Sequence, residues 1–328
     1  MPSLLYKSHN MLYDFSKTVQ TKTMQKILSK SHNRAILALI VANSIWGAAS
    51  PIFKLALENI PPFTLAFFRF FGAMAIIFPF AVNDFWIRKK DWPNLIFLSL
   101  CGITVNITFF FWGLQEAPAI NAPIIASSGP VFIYLFAVLF LKEKLHPKVL
   151  SGIMVGLTGV LAIVLQPVFT HEPDGRILGN IFFVIATLGT VGYVIFSKKI
   201  VKYYNAATLT FWSFLIGSLT FLPMFIWEMR NLHPFYTIDY RGWIGLAFGI
   251  FLSSALAYFL YEWSIKSLLA QDVGIFTYID PVVAAIIAVP LLGEVITPIY
   301  LLGSFLVFAG IYVAGGRLHW HPIHWLKR

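Results

Sequence analysis

APAINAPIIASSGPVFIYLFAVLFLKEKL (117–145) decides the fold. The segment is apolar for longer than a strand runs, lacks period-two alternation, and is punctuated at Ser128-Gly129-Pro130 before it ends in Lys142, Glu143 and Lys144. A helix crosses ~30 Å of hydrocarbon with about 20 apolar residues. Backbone groups in lipid have no water to bond, so such blocks are helices. A membrane barrel needs alternating segments of ~10 residues, and these blocks do not alternate. Outward from this stretch, the same pattern of long apolar block and short polar break predicts ten spans: 35–55, 62–82, 93–114, 119–141, 147–167, 177–197, 206–228, 242–263, 271–292 and 297–316. The chain thus reads as an all-α integral membrane protein. A basic tail (1–34) precedes the spans and a short tail (317–328) follows them.

Composition agrees. Hydrophobic residues are 58% of the chain and charged residues 12%, against about 25% charged in soluble domains. The net charge of +10 is placed for a membrane, not for nucleic acid. Six of the 24 Lys and Arg lie in the N-terminal tail and thirteen in alternate loops and the C-terminal tail, while Arg176, Arg230 and Arg241 are the three on the other face. That asymmetry follows the positive-inside rule and predicts cytoplasmic termini. The first tail reads as a disordered basic segment. Cys101 is the single cysteine and reads as a small buried residue; it rules out a disulfide framework or a thiolate zinc site. His319, His321 and His324 cluster without an accompanying acid or thiol, so no metal site is expected.

The chain contains itself twice. A shift of 151 residues aligns Trp112 with Trp263, Pro130 with Pro281, Glu143 with Glu294, Pro147 with Pro298, Gly152 with Gly303 and Gly159 with Gly310. A shift of 144 aligns Lys54 with Lys198, Leu65 with Leu209, Phe67 with Phe211 and Pro79 with Pro223. Residues 35–167 and 177–316 are therefore two copies of a five-helix unit. An odd number of spans starts and ends on opposite sides, so the copies lie inverted in the bilayer. Inverted repeats recur in secondary transporters, with substrate bound near the midplane where the copies meet.

These residues carry a resemblance. SIWGAASPIFK (44–54), Arg69 in the second span, and residues 117–163 with their second copy at 270–314, including YIDPVVAAIIAVPLLGE (278–294), resemble the drug/metabolite transporter superfamily, EamA type. The resemblance covers nearly all of 35–316. It implies a ten-helix transporter with a central cavity, moving small metabolites such as amino acids or drug-like compounds, often outward, across a bacterial plasma (inner) membrane. The partners implied are a small-molecule substrate and the lipid bilayer, with protons as a candidate coupling ion; no cofactor is implied.

Asp280 is the most informative single position. A carboxylate in mid-span costs ~2.5–3.5 kcal/mol on insertion scales. Two readings stand side by side: a proton or substrate-amine site, and a helix cap in which Asp280 is N-cap and Pro281 the first helical residue. Lys54, Arg69 and Glu116 are expected in the outer part of the membrane. They read either as a structural network or as an outer gate, with Arg69 suited to hold a substrate carboxylate. Glu262 is expected near the cytoplasmic end of its span, solvated at the interface or serving as an inner gate with Lys266. Glu143 and Glu294 read as structural caps. Aromatic candidates for the path are Trp46, Phe109, Trp112, Tyr258, Tyr261, Phe276 and Tyr278, and polar ones are Asn43, Asn106, Asn121, Ser127 and Ser128.

A membrane-embedded enzyme is the main competing class. The histidines all fall outside the spans, and neither HExxH, GxSxG nor a Walker sequence occurs. A receptor or scaffold is the other alternative, though it has no need of mirrored helix breaks. Accessible tags placed beside Asn59 and Asn205 should report on opposite faces of the membrane; both tags on one face would remove the inverted geometry.

Overall fold

Several helix starts in this chain are set by proline, and two are covered by carboxylates borrowed from the other repeat. The computed structural model describes residues 33–129, 131–132, 147–170, 175–232, 238–265 and 276–314. Its helices are α1 (Asn33–Leu57), α2 (Pro62–Ala81), α3 (92–116), α4 (Asn121–Ser127), α5 (Pro147–Val164), α6 (Gly175–Ile200), α7 (Ala206–Leu232), α8 (240–265), α9 (Ile279–Leu292) and α10 (Pro298–Ala314). Six of these are long and apolar enough to cross a membrane, and Leu150–Val164, Ile279–Leu292 and Pro298–Val313 are shorter apolar helices. Most ends fall within a few residues of the expected spans. The fourth and ninth spans are interrupted within the described residues, at Ser128 and at Thr277–Tyr278, and the rest of the fourth span and the start of the ninth lie outside them.

Pro62 occupies the first position of α2, where its missing N–H costs nothing. The next amides would be orphans at a buried helix start. Glu228, from the last turns of α7, accepts both: Phe63 N at 3.1 Å and Thr64 N at 2.5 Å, with the Thr64 hydroxyl at 2.7 Å. The carboxylate also meets the positive end of the helix dipole. Thr208, which stands 144 residues after Thr64, donates to the main-chain oxygen of Asp84 at 2.8 Å, and Asp84 stands 144 residues before Glu228. The two ends of the bundle are thus tied by symmetry-related contacts, one through a charge and one through backbone.

The inversion is visible in which residues touch. Phe70 and Phe214 are counterparts under the same shift and face one another, ring centroids 5.2 Å apart. On either side, Phe63 meets Phe221 and Phe78 meets Phe211. One number rises as the other falls, so α2 and α7 run antiparallel. The fifth helices behave alike. A Cβ on Gly159 would stand 2.6 Å from the Gly303 oxygen, and a Cβ on Gly310 would stand 2.6 Å from the Gly152 oxygen. Each pair is the image of the other under the 151-residue shift, and again the numbers run in opposite directions. Equivalent helices that pack antiparallel about a pseudo-two-fold axis are what an inverted repeat requires. Small residues at these crossings let the backbones approach closely in lipid, where apolar burial alone gives little drive to associate.

The remaining crossings are exchanged between repeats. α1 lies on α8, with Ala56 against Gly245, and α6 lies on α3, with Phe183 against Gly113. Both third helices pass through a π-helical segment, Leu100–Val105 in α3 and Phe248–Leu256 in α8. No sequence signal announced them. Phe53, Phe70, Phe111, Phe183, Phe214 and Phe221 fill the interior, whereas Phe80, Ile286 and Phe305 lie on the outer surface at 63%, 66% and 68% exposure. An apolar perimeter of that kind suits hydrocarbon rather than water.

Replacing Gly310 by Val should force α5 and α10 apart. Overpacking typically costs about 1–3 kcal/mol, so the variant's melting temperature in detergent should fall, and Gly303→Val should do the same.

Candidate functional site

Three clusters of polar side chains lie where the repeats meet. The first joins α1 to the turn between α9 and α10. Gly293 ends α9 in the left-handed region, φ 65°, which a side chain disfavours. This turn sends Glu294 back across the repeat boundary, where it accepts Ala119 N at 2.6 Å and Ile120 N at 3.0 Å, just ahead of α4. Lys54 pairs with the same carboxylate at 3.2 Å and donates to the Ala117 oxygen at 2.5 Å. Glu294 therefore does not cap the helix that follows it but covers the start of one in the first repeat. Lys54, Arg69 and Glu116 do not form one cluster: Glu116 is exposed, and Arg69 is bonded elsewhere. The cause is the cross-repeat reach of Glu294, which matching two glutamates along the chain does not disclose.

At the same end of the bundle, Arg241 bridges Asp239 and Glu58. The Arg241 side chain holds the partly exposed Asp239 carboxyl below the usual carboxylate range. At the opposite end, Asp91 accepts from Tyr204 at 2.6 Å and from Arg88 at 2.8 Å.

The second cluster surrounds Arg69. Its guanidinium is 3% exposed and donates to the Ser254 hydroxyl at 2.7 Å and the Ser253 hydroxyl at 3.0 Å. It also lies 4.8 Å from the Phe53 and Phe70 ring centroids. Cation–π contact and neutral hydroxyls partly offset desolvation, but among the described residues no carboxylate pairs with this charge. Ser253 and Ser254 sit in the α8 π segment, and they are site residues that sequence reading missed. Trp46 Nε1 donates to the Ser253 oxygen at 3.1 Å, and its ring centroid is 5.3 Å from Tyr258 and 5.2 Å from Tyr261.

The third cluster is the break before α9. Thr277 and Tyr278 form a turn, and Asp280 N bonds the Thr277 oxygen at 3.3 Å. Tyr278, not Asp280, is the N-cap, so the expected cap assignment fails by two residues. Asp280 already lies in the first turn, and its Oδ1 is buried with no hydrogen-bond partner among the described residues. Gly47, next to Trp46, is pressed against this break; a Cβ there would stand 2.6 Å from the Asp280 oxygen. The first repeat breaks at the corresponding place, with Ser128 in a turn after α4.

Glu262 lies apart from these and is not solvated at an interface: it is 1% exposed, and its Oε1 accepts a short hydrogen bond from Tyr193. Lys266 and Glu143 lie outside the described residues. The other candidates are largely engaged within the protein. Asn106 donates to Ala186 and Thr190 across the repeat boundary, Asn121 to Asn180, and Asn43 to Leu39. Ser127 and Ser128 bond their own helix at Pro123 and Ile125. Phe109 and Trp112 set tilted rings against Phe182, Tyr278 meets Phe308, and Phe276 and Tyr261 both pack on Ala35 and Leu39. Cys101 is half-buried against Gly192. Among the described residues no group of acids, histidines or cysteines is placed to hold a metal.

Comparison with known proteins gives a family. The EamA-like transporter family matches residues 33–165 and again residues 177–316. An uncharacterized transporter of Archaeoglobus fulgidus is 25% identical over 297 residues, covering 89% of this chain and 99% of that protein. A probable amino-acid metabolite efflux pump of Escherichia coli is 25% identical over 306 residues, covering 88% and 97%. A probable terminal-alkyne amino-acid exporter of Streptantibioticus cattleyicolor is 24% identical over 289 residues, covering 87% and 94%. A solved crystal structure superposes with a TM-score of 0.60 at 18% identity, covering 85% of this chain and 96% of that one, and shares the fold.

The Lys54–Glu294 pair is half-screened, with side-chain exposures of 27% and 9%. A double-mutant cycle with Lys54→Met and Glu294→Gln should return a coupling of about 1–3 kcal/mol, between exposed and buried pairs. Glu294→Ala should cost more than Lys54→Met, because only the glutamate also holds the amides of Ala119 and Ile120.

Proposed function

The chain belongs to the EamA-like transporter family, and we propose that it exports small amphoteric metabolites of the amino-acid class by alternating access between its two repeats. That it is a membrane transporter of small metabolites, built as two inverted five-helix repeats, follows from the family match over both halves. The finer reading rests chiefly on one observation. Two opposite charges, the buried Arg69 and the half-buried Asp280 with its buried Oδ1, border one aromatic cluster, and neither is paired with an opposite charge among the described residues.

Arg69 offers a planar fork to a carboxylate. Its present partners are serine hydroxyls, which a substrate oxygen can replace with a net gain because hydrogen bonds between charged groups are the stronger ones. Asp280 lies beyond Tyr261 and beside Gly47, with a carboxylate oxygen that meets no donor among the described residues. It supplies the counter-group for a substrate amine. Trp46, Tyr258 and Tyr261 form the apolar wall between, and a mostly apolar site with a few polar groups is typical of small-molecule recognition. The efflux pump and exporter among the relatives are named for amino-acid substrates, which supports the class and the outward direction.

In this reading the termini and the Arg88 end face the cytoplasm, by the distribution of Lys and Arg. Lys54–Glu294 then closes the outer side, because it ties α1 to the second repeat and shields the start of α4. Breaking it, together with the Arg241 bridges, lets the repeats rock about the Phe70–Phe214 axis. A proton gradient is the drive expected of a carrier without a nucleotide-binding sequence.

Flux in proteoliposomes loaded with an amino acid, its decarboxylated amine or its deaminated acid tests the assignment. Arg69→Gln should weaken apparent affinity for the acid-bearing compounds by about ten- to a hundredfold, the loss of a charge-assisted contact of roughly 1.5–3 kcal/mol. Asp280→Asn should weaken the amine-bearing ones. No saturable flux across a broad panel for the wild-type protein would remove the carrier reading.

A further inference from the structure

We propose that Glu262, held by Tyr193, is a proton-exchange site that controls opening at the Arg88 end of the bundle. This rests on the transport reading above and adds the ion to it.

The two residues come from the closing turns of α6 and α8, and their hydrogen bond ties those helices together. The carboxylate is 1% exposed. A charge at such a position is costly in a membrane protein, and repeat symmetry shows that packing does not need it. Phe111, the counterpart of Glu262 under the 151-residue shift, is equally buried at 1% and fills its place with a ring alone. The acid is therefore an addition to one repeat at a site where an apolar side chain suffices. Tyr193 is held in turn: its ring covers Gly102 in the α3 π segment and leaves no room for a Cβ there, and the neighbouring Gly192 faces Cys101. The pair lies beyond the aromatic cluster, since Tyr258 and Tyr261 precede Glu262 on α8 and both contact Trp46.

The step is a simple protonation. With Glu262 ionised, the Tyr193 hydroxyl donates to a charged acceptor, a bond roughly twice as strong as a neutral one. A proton taken from water onto the carboxylate turns the acceptor into a neutral acid, so the tie between α6 and α8 weakens and that end opens. Release of the proton to the newly admitted water restores the tie. Among the described residues the titratable groups that face this site are Tyr193 on α6, Tyr258 and Tyr261 on α8, Asp280 on α9 across Tyr261, Arg69 on α2 near Tyr258, and Cys101 on α3. α7 presents Phe214, which is not titratable, to Tyr258. Lys266, one turn further along the chain, lies outside the described residues.

Cys101 is the protein's single cysteine and stands beside Tyr193, so the native chain carries its own reporter. The full chain in liposomes is labelled with a charged methanethiosulfonate, and rates are scaled to the thiolate fraction. In wild type the scaled rate should rise severalfold from about pH 8 to about pH 6. Glu262→Gln should be fast and independent of pH, and Tyr193→Phe should be faster than wild type at every pH. Transport gives the second readout: Glu262→Gln should keep substrate exchange at equal pH and lose accumulation driven by a pH gradient. A wild-type pH profile in Glu262→Gln, or in Tyr193→Phe should the first variant fail to fold, overturns the proposal. A pH-dependent label rate with no flux of any substrate overturns the transport reading and leaves the proton site standing.

Discussion

Every backbone amide in the hydrocarbon needs a partner inside the protein, and two helix starts of the first repeat are covered by glutamates from the second. Glu228 takes the first amides of α2, and Glu294 takes those ahead of α4. Neither repeat completes its own helix ends there, so neither half is a self-sufficient unit. The pseudo-two-fold contacts at Phe70–Phe214 and along α5 and α10 then follow from bringing the halves close enough for those carboxylates to reach.

The same arrangement makes the bundle two-ended. At one end charge ties the repeats: Glu228 to Thr64, Glu294 to Lys54, and Arg241 to Glu58. At the other, the equivalent of the Glu228 tie is only a backbone oxygen at Asp84, and the local cluster is Arg88, Asp91 and Tyr204. Asymmetric ties on a symmetric frame give two ends that respond differently to water, protons and substrate. Between them, the π-helical segment of α8 turns Ser253 and Ser254 onto Arg69 and leaves the Ser253 oxygen for Trp46. The charge of Arg69 is thereby held in a buried position with no counter-ion among the described residues, an environment in which a ligand carboxylate is worth more than it is in water.

How much of this was legible in the sequence depends on the kind of feature. Arg69 and Asp280 stood out because charged residues inside a span are scarce and cost free energy to place there, and Trp46 because it sits in the SIWGAASPIFK stretch that carries the resemblance. Their neighbours did not. Ser253 and Ser254 look like ordinary small residues until the π turn aims them at Arg69. Tyr193 is one aromatic among many until it meets Glu262. Glu294 reads as a structural cap, but which helix it covers was hidden, because its target lies 175 residues away and no local pattern encodes that distance. The assignment of Asp280 as an N-cap failed for a related reason: a turn at Thr277 and Tyr278 started the helix earlier than the Asp-Pro pair implied.

By itself the sequence determined the membrane setting, the helical blocks, the duplication and its inversion. All of these follow from length, apolar periodicity and counting, and the bilayer makes hydropathy nearly sufficient for them. The tertiary structure alone decided which charges meet. Ion-pair and hydrogen-bond partners in this protein are chosen across the repeat boundary, by helices whose crossings depend on glycine contacts and π turns a few ångströms in scale. Side chains that are remote in the chain become neighbours only once those crossings are set.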